Sequence, residues 1–118
     1  MSVNPNLVGS YLESKLKSRP YKTVTYGEIS AKFGLPNFNG AWAAHPLSQI
    51  FEVLDQQDAN ANRPFRTSVV IAIHNNAPGP GLYEALERLK FIPDPKTKIA
   101  REQLWLSELK AAYIYSWP

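Results

Sequence analysis

The stretch TVTYGEISAKFGLP, residues 23–36, places Thr25, Tyr26 and Glu28 at the start of a short helix. Thr25 and Glu28 have the spacing of a capping box, in which the Thr hydroxyl accepts from the third helical N–H and the Glu side chain returns to the Thr backbone. A tyrosine at a helix N-terminus, beside N–H groups with no intrahelical acceptor, can bond a phosphate. Lys22, Lys32, Asn37, Asn39, Arg63 and Arg66 are further donors expected around this turn and the strand entry, and they are the side-chain types that contact a nucleic-acid backbone. On this reading Lys22, Tyr26, Lys32, Arg63 and Arg66 hold phosphates, and Asn37 or Asn39 lies nearest the bases.

Residues suited to catalysis are sparse. His45 and His74 stand 29 positions apart, one before a proline and one in a turn, with no carboxylate cluster or metal-ligand spacing around them. The chain has no cysteine, which excludes a thiol nucleophile, a thiolate metal site and a disulfide framework. HNNAPGPG is rich in glycine and proline but lacks the Lys-Ser/Thr of a phosphate loop. The expectation is a non-enzymatic protein with no cofactor and no metal.

The elements that must position these residues follow from periodicity and punctuation. Pro5 behind Asn4 opens a first helix over 5–18, with Leu7, Val8, Tyr11, Leu12 and Leu16 at helical spacing. The second helix runs from Tyr26 to Phe33 and ends at Gly34 and Pro36. PLSQIFEVLDQQD makes a third helix over 46–58, and FRTSVVIAI reads as a strand bounded by Pro64 and the HNNAPGPG turn. GLYEALERLKF is helical through Leu82, Ala85, Leu86 and Leu89. A last helix uses Ile99, Glu102, Leu106, Leu109 and Tyr113 with Trp105 beside them, and AYIYSWP frays or adds a short strand. The expected fold is α+β and mostly α: a single winged-helix-like domain over 1–118, with a helix-turn-helix, short strands and additional C-terminal helices.

At 118 residues and 44% hydrophobic, the chain is long enough for one domain with a real core. No apolar run approaches a membrane span and no signal-peptide pattern opens the sequence, so a cytoplasmic address is expected. The net charge of +3 is unevenly spread: Lys15, Lys17, Arg19 and Lys22 face only Glu13 in the first 24 residues, whereas 25–62 carries Glu28, Glu52, Asp55 and Asp58 against Lys32. A basic excess of this size permits nucleic-acid binding without requiring it.

TVTYGEISAKFGLP, an alanine-rich segment ending in HP, RPFRTSVVI and the GPG turn resemble the C-terminal DNA-binding domain of DNA alkyltransferases and alkyltransferase-like proteins, across residues 23–83. That family has a TYG-I helix, a G-P turn, a recognition helix ending near NP, and a PCHRVV strand followed by a glycine-rich wing. RPFRTSVVIAIHNNAPGPGLYEA and the ending YIYSW are also similar to small bacterial and phage proteins with a P-L-V-V…PG-GF segment. The resemblance implies a winged-helix fold, DNA binding and a bacterial or phage origin. It also fixes what is missing: Phe65 stands where the family has its acceptor cysteine and Arg66 where it has the neighbouring histidine. The arginine that fills the space of a flipped base would fall near Asn39 or Gly40. Tyr26 matches the tyrosine that helps rotate the nucleotide. These departures exclude alkyl transfer and argue against base flipping.

Two readings of function follow. In the first, the chain binds DNA through its phosphate backbone. Against groove reading stands the third helix, whose Glu52, Asp55 and Asp58 have no Lys or Arg beside them. In the second, the chain is a protein-interaction module, a phage- or defence-related adaptor or inhibitor, with Trp42, Glu52 and Asp55 as contacts. Trp105 or Trp117 could add a homodimer contact.

Overall fold

The computed structural model describes residues 3–36 and 42–118. Helix α1 spans Pro5–Lys17, strand β1 Val24–Thr25, α2 Tyr26–Phe33, α3 Pro46–Asn60, β2 Val70–Ile71, α4 Gly81–Lys90 and α5 Lys98–Ile114, with 3-10 turns at Trp42–Ala44 and Arg66–Val69. The architecture is α+β and mostly helical.

The helix ends follow the chemistry read from the sequence. Asn4 caps α1 by accepting from the Asn6 N–H at 2.9 Å, with Pro5 as the first helical residue. Thr25 Oγ1 caps α2 by accepting from the Glu28 N–H at 3.1 Å, and Gly34 ends that helix in the left-handed region at φ 67°. The return bond from Glu28 is absent among the described residues. His45 caps α3: its Nδ1 accepts from the Leu47 N–H at 3.1 Å, which leaves Nε2 to donate to the Pro36 carbonyl at 2.8 Å. This histidine is a structural cap.

The segment read as one long strand folds differently. Only Val70 and Ile71 are extended, and they pair in parallel with Val24 and Thr25. Carboxylates from other elements take the backbone donors upstream: Phe65 N–H donates to Glu108 at 2.8 Å and Arg66 N–H to Asp58 at 2.8 Å. Ser68 closes the turn by donating its N–H and its hydroxyl to the Phe65 carbonyl. The following turn closes on a single antiparallel bridge, Ala72 to Ala77.

The buried Arg66–Val69 turn is the hub on which α1, α3 and α5 pack, and α4 lies against α3. Around it Val8, Leu12, Leu16, Val24, Ile29, Leu47, Leu54, Phe65, Val69, Val70 and Leu86 are completely buried. The inward stripe of α5 is Trp105, Leu109 and Ala112, while Ile99 and Leu106 are exposed. Trp105 is drawn inward because its indole N–H donates to the Ser68 carbonyl at 2.8 Å. Trp117 is buried too and bonds the Ala112 carbonyl, so neither tryptophan is presented for a homodimer contact.

Gly9 marks the closest approach of α1 to this hub. A Cβ there would lie 2.5 Å from Arg66 Nη1 and 3.0 Å from Leu54 Cδ2. Alanine is the better helix former by about 1 kcal/mol, yet the guanidinium it would displace is held on three sides. Gly9→Ala is expected to lower stability by about 1–3 kcal/mol through overpacking, measured by urea denaturation; a stabilised variant would mean the Arg66 side chain gives way freely.

Candidate functional site

Helix α3 carries Asp55 and Asp58 on its buried stripe, in register with Leu47, Phe51 and Leu54. Each aspartate builds a different feature. Asp58 is fully buried and holds two arginines: Arg63 Nε donates to it at 2.6 Å and Arg66 Nε at 3.0 Å. Arg66 also reaches Glu13 at 3.1 Å and Gln57 at 3.0 Å. Asp58, Arg66 and Glu13 thus pin α3, the central turn and α1 together. Arg66, only 4% exposed, is a core cation and not a backbone contact for nucleic acid. Arg63 is tied to the same carboxylate. The expectation for Arg66 is corrected by this network, whereas Arg63 keeps a side chain 22% exposed; the acidic face expected of the third helix is largely turned inward.

Asp55 lines a pocket of about 630 Å³ between β1, α2, α3, the end of β2 and the start of α4. It is 6% exposed, so it is withdrawn as a surface contact for a protein partner. Thr67 Oγ1 donates to its Oδ1 at 2.6 Å, and this is its one hydrogen bond among the described residues. Burial, with the neighbouring Asp58 charge, pushes the Asp55 carboxyl up to about 7, against the Thr67 bond and the more distant Arg88 and Lys90. One wall of the pocket is aromatic. Tyr26 packs on Trp42 and Phe51 with ring centroids 5.3 and 6.0 Å away, and Trp42 meets Phe51 at 5.6 Å. The Tyr26 hydroxyl accepts from the Gly79 N–H at 3.0 Å, which seats the PGPG segment on the ring, and burial raises the phenol above its usual value. Gly79 eases this approach: a Cβ there would lie 3.3 Å from the Tyr26 hydroxyl. Tyr26 is therefore a wall of the pocket. Trp42 is half-buried beside it, and Glu52 is exposed at the rim.

The remaining sequence candidates lie elsewhere. Lys32 is exposed on α2 and lies 5.6 Å from the centre of the Tyr11 ring, which Lys15 approaches to 5.2 Å. Lys22 is exposed, and its carbonyl accepts from the Tyr113 hydroxyl at 2.7 Å. Beside it Arg19 stacks 4.1 Å over Tyr21, which packs on Tyr113 at 4.4 Å. Asn37 and Asn39 lie outside the described residues. The tertiary structure thus separates Tyr26 from the lysines with which it was grouped.

Sequence reasoning missed Phe51, Thr67 and Arg88 as pocket residues. The usable signal was two aspartates on an otherwise apolar helical stripe, since a carboxylate there must find a partner or face a cavity. Among the described residues no group of three or more His, Cys, Asp or Glu could hold a metal ion, and no helix is long and apolar enough to cross a membrane. Compared with protein-family models, curated proteins and solved structures, the chain matches none.

Proposed function

We propose that this chain is a nucleic-acid-binding module that holds a phosphate backbone on the basic surface formed by Lys15, Lys17, Arg19, Lys22 and Lys32. One observation carries the reading. These five cations have no carboxylate partner among the described residues and fall within residues 15–32, although Lys17 donates to the Pro118 carbonyl and Arg19 to the Leu16, Ser18 and Tyr113 carbonyls. Arg63, Arg66, Lys90 and Arg101 are ion-paired, while Arg88, Lys96, Lys98 and Lys110, also without a carboxylate partner there, lie along the C-terminal third. Glu13, the one acid among the first 24 residues, is taken up by Arg66. Unpaired cations concentrated on one segment are what counterion release from a nucleic acid requires. The order helix, strand, helix, helix, strand and Gly/Pro turn supports the winged-helix reading that belongs to this proposal, as does the resemblance of residues 23–83 to an alkyltransferase DNA-binding domain.

The test is a titration with a fluorescent duplex. Affinity is expected to fall on the order of a hundredfold between about 50 and about 200 mM salt if some four phosphates are neutralised. The Lys15/Lys22/Lys32 triple alanine variant should lose most of the low-salt binding while keeping its fold, since Lys22 and Lys32 are exposed and Lys15 is only half-buried. Absence of binding at low salt, or a variant that binds as well as the parent, overturns the reading.

A further inference from the structure

The pocket beneath the PGPG segment contrasts with the charge of the chain as a whole. On a protein of net charge +3, its lining carries three carboxyls, Glu52, Asp55 and Glu84, against the single guanidinium of Arg88. At about 630 Å³ it falls in the range of small-molecule sites, and it combines an apolar wall with a few convergent polar groups in the way such sites do. The wall is Tyr26, Trp42 and Phe51; Leu82 and Ala85 continue it on the α4 side. At the α3 side sits Asp55, whose Oδ1 is bonded by Thr67 while Oδ2 receives no hydrogen bond among the described residues. A carboxyl this buried, with one oxygen unanswered, is a recognition element for a ligand that brings N–H donors.

From this placement we infer that the pocket binds a small organic cation with a planar amidine- or guanidine-type head on a flat apolar body, the head donating to Asp55 and the body lying on the Tyr26–Trp42–Phe51 wall. A planar N–H pair matches a carboxylate in a fork, and a delocalised cation is also attracted to aromatic faces. The rim acids Glu52 and Glu84 add a field of the same sign. The opposing field comes from the N-termini of α2 and α4, which border the pocket and favour anions. Thr25 answers the first with its cap, and Glu84, in the first turn of α4, answers the second. The site is separate from the lysine surface proposed for nucleic acid and stands whether or not that surface binds.

Benzamidine is the probe, followed by calorimetry and by NMR shifts of the Trp42 indole N–H, with benzoate as the control of equal shape and opposite charge. Saturable benzamidine binding with no benzoate binding is expected. At about pH 8, where a carboxyl raised to about 7 is mostly ionised, Asp55→Asn, which keeps the size of the side chain, should weaken benzamidine at least about tenfold, the scale of losing a charge-assisted bond. Glu52→Gln with Glu84→Gln changes only exposed rim groups, so the fold is kept even if the Asp55 variant is unstable. This pair should weaken benzamidine severalfold, and the loss should shrink in high salt. Benzoate binding as well as benzamidine would show that the helix N-termini govern the pocket and would overturn the inference. So would the absence of benzamidine binding at millimolar concentration, or rim variants that bind as the parent does.

Discussion

Asp58→Ala is expected to destabilise the protein by about 3–5 kcal/mol, the scale of breaking a buried ion pair from one side. The carboxylate is completely buried and accepts from Arg63 Nε, Arg66 Nε and the Arg66 backbone N–H. Truncation removes all three acceptor contacts, while Arg66 stays in the core with Glu13 and Gln57 as its remaining partners. The loss comes from a desolvated guanidinium left short of charge, more than from the worth of the pair itself. A second variant separates these causes. Asp58→Leu combined with Arg66→Met removes the two most buried charges together and should recover part of the loss; Arg63 and Glu13 then lose their partner, but their side chains, 22% and 17% exposed, still reach water. Urea denaturation checks both variants. A cost below about 1 kcal/mol for the alanine variant would show that solvent reaches the network and screens it.

The second large effect is a pH dependence centred on Asp55. Its carboxyl titrates near 7 in the folded chain against 3.8 for the unperturbed side chain, because it is buried and Asp58 lies nearby. The bond from Thr67 and the charges of Arg88 and Lys90 act the other way. Between these two values the folded protein binds a proton that the unfolded chain has released, so this group's contribution to stability falls as pH rises from about 4 to about 7 and is level outside that window. A neutral isostere escapes the loss. Asp55→Asn should match the parent at about pH 4 and exceed it at about pH 8 by as much as ~4 kcal/mol, the equivalent of three pKa units. Taking the difference between the two proteins cancels the surface pairs, including Asp94, whose bonds with Arg101 hold its carboxyl down to about 2. A parent-to-variant difference that does not change with pH would mean that Asp55 is charged throughout.

The pocket and the network share one cause. Helix α3 puts Asp55 and Asp58 on the face that a globular helix normally reserves for apolar side chains. One is answered by two arginines and the other by a threonine and a cavity. The same helix, read as a sequence, looks like a solvent-facing acidic helix, and that appearance argued against DNA reading. Folded, it exposes only Glu52 of the three acids. The objection drawn from an acidic α3 therefore loses most of its weight, and the surface proposed for nucleic acid lies away from α3, on the lysines of α1, α2 and their connection.

Local rules determined much of this protein from sequence. Asn4 and Thr25 cap their helices with their own hydrogen bonds, Gly34 takes the left-handed conformation, and the five helices stand within two or three residues of where periodicity puts them. Each of these choices depends on neighbours within four or five positions. Only the tertiary structure decided the rest. The strand over 65–73 shrank to Val70–Ile71 because Asp58 and Glu108, 8 and 43 residues away, took the N–H groups a ladder would have used. Arg66 passed from candidate phosphate contact to core cation for the same reason. Tyr26 left the lysines for Trp42, Phe51 and Gly79, the last 53 residues distant. Burial is a property of what packs against a side chain, and charge pairing of what lies within a few ångströms; neither is written in the spacing of residues along one chain.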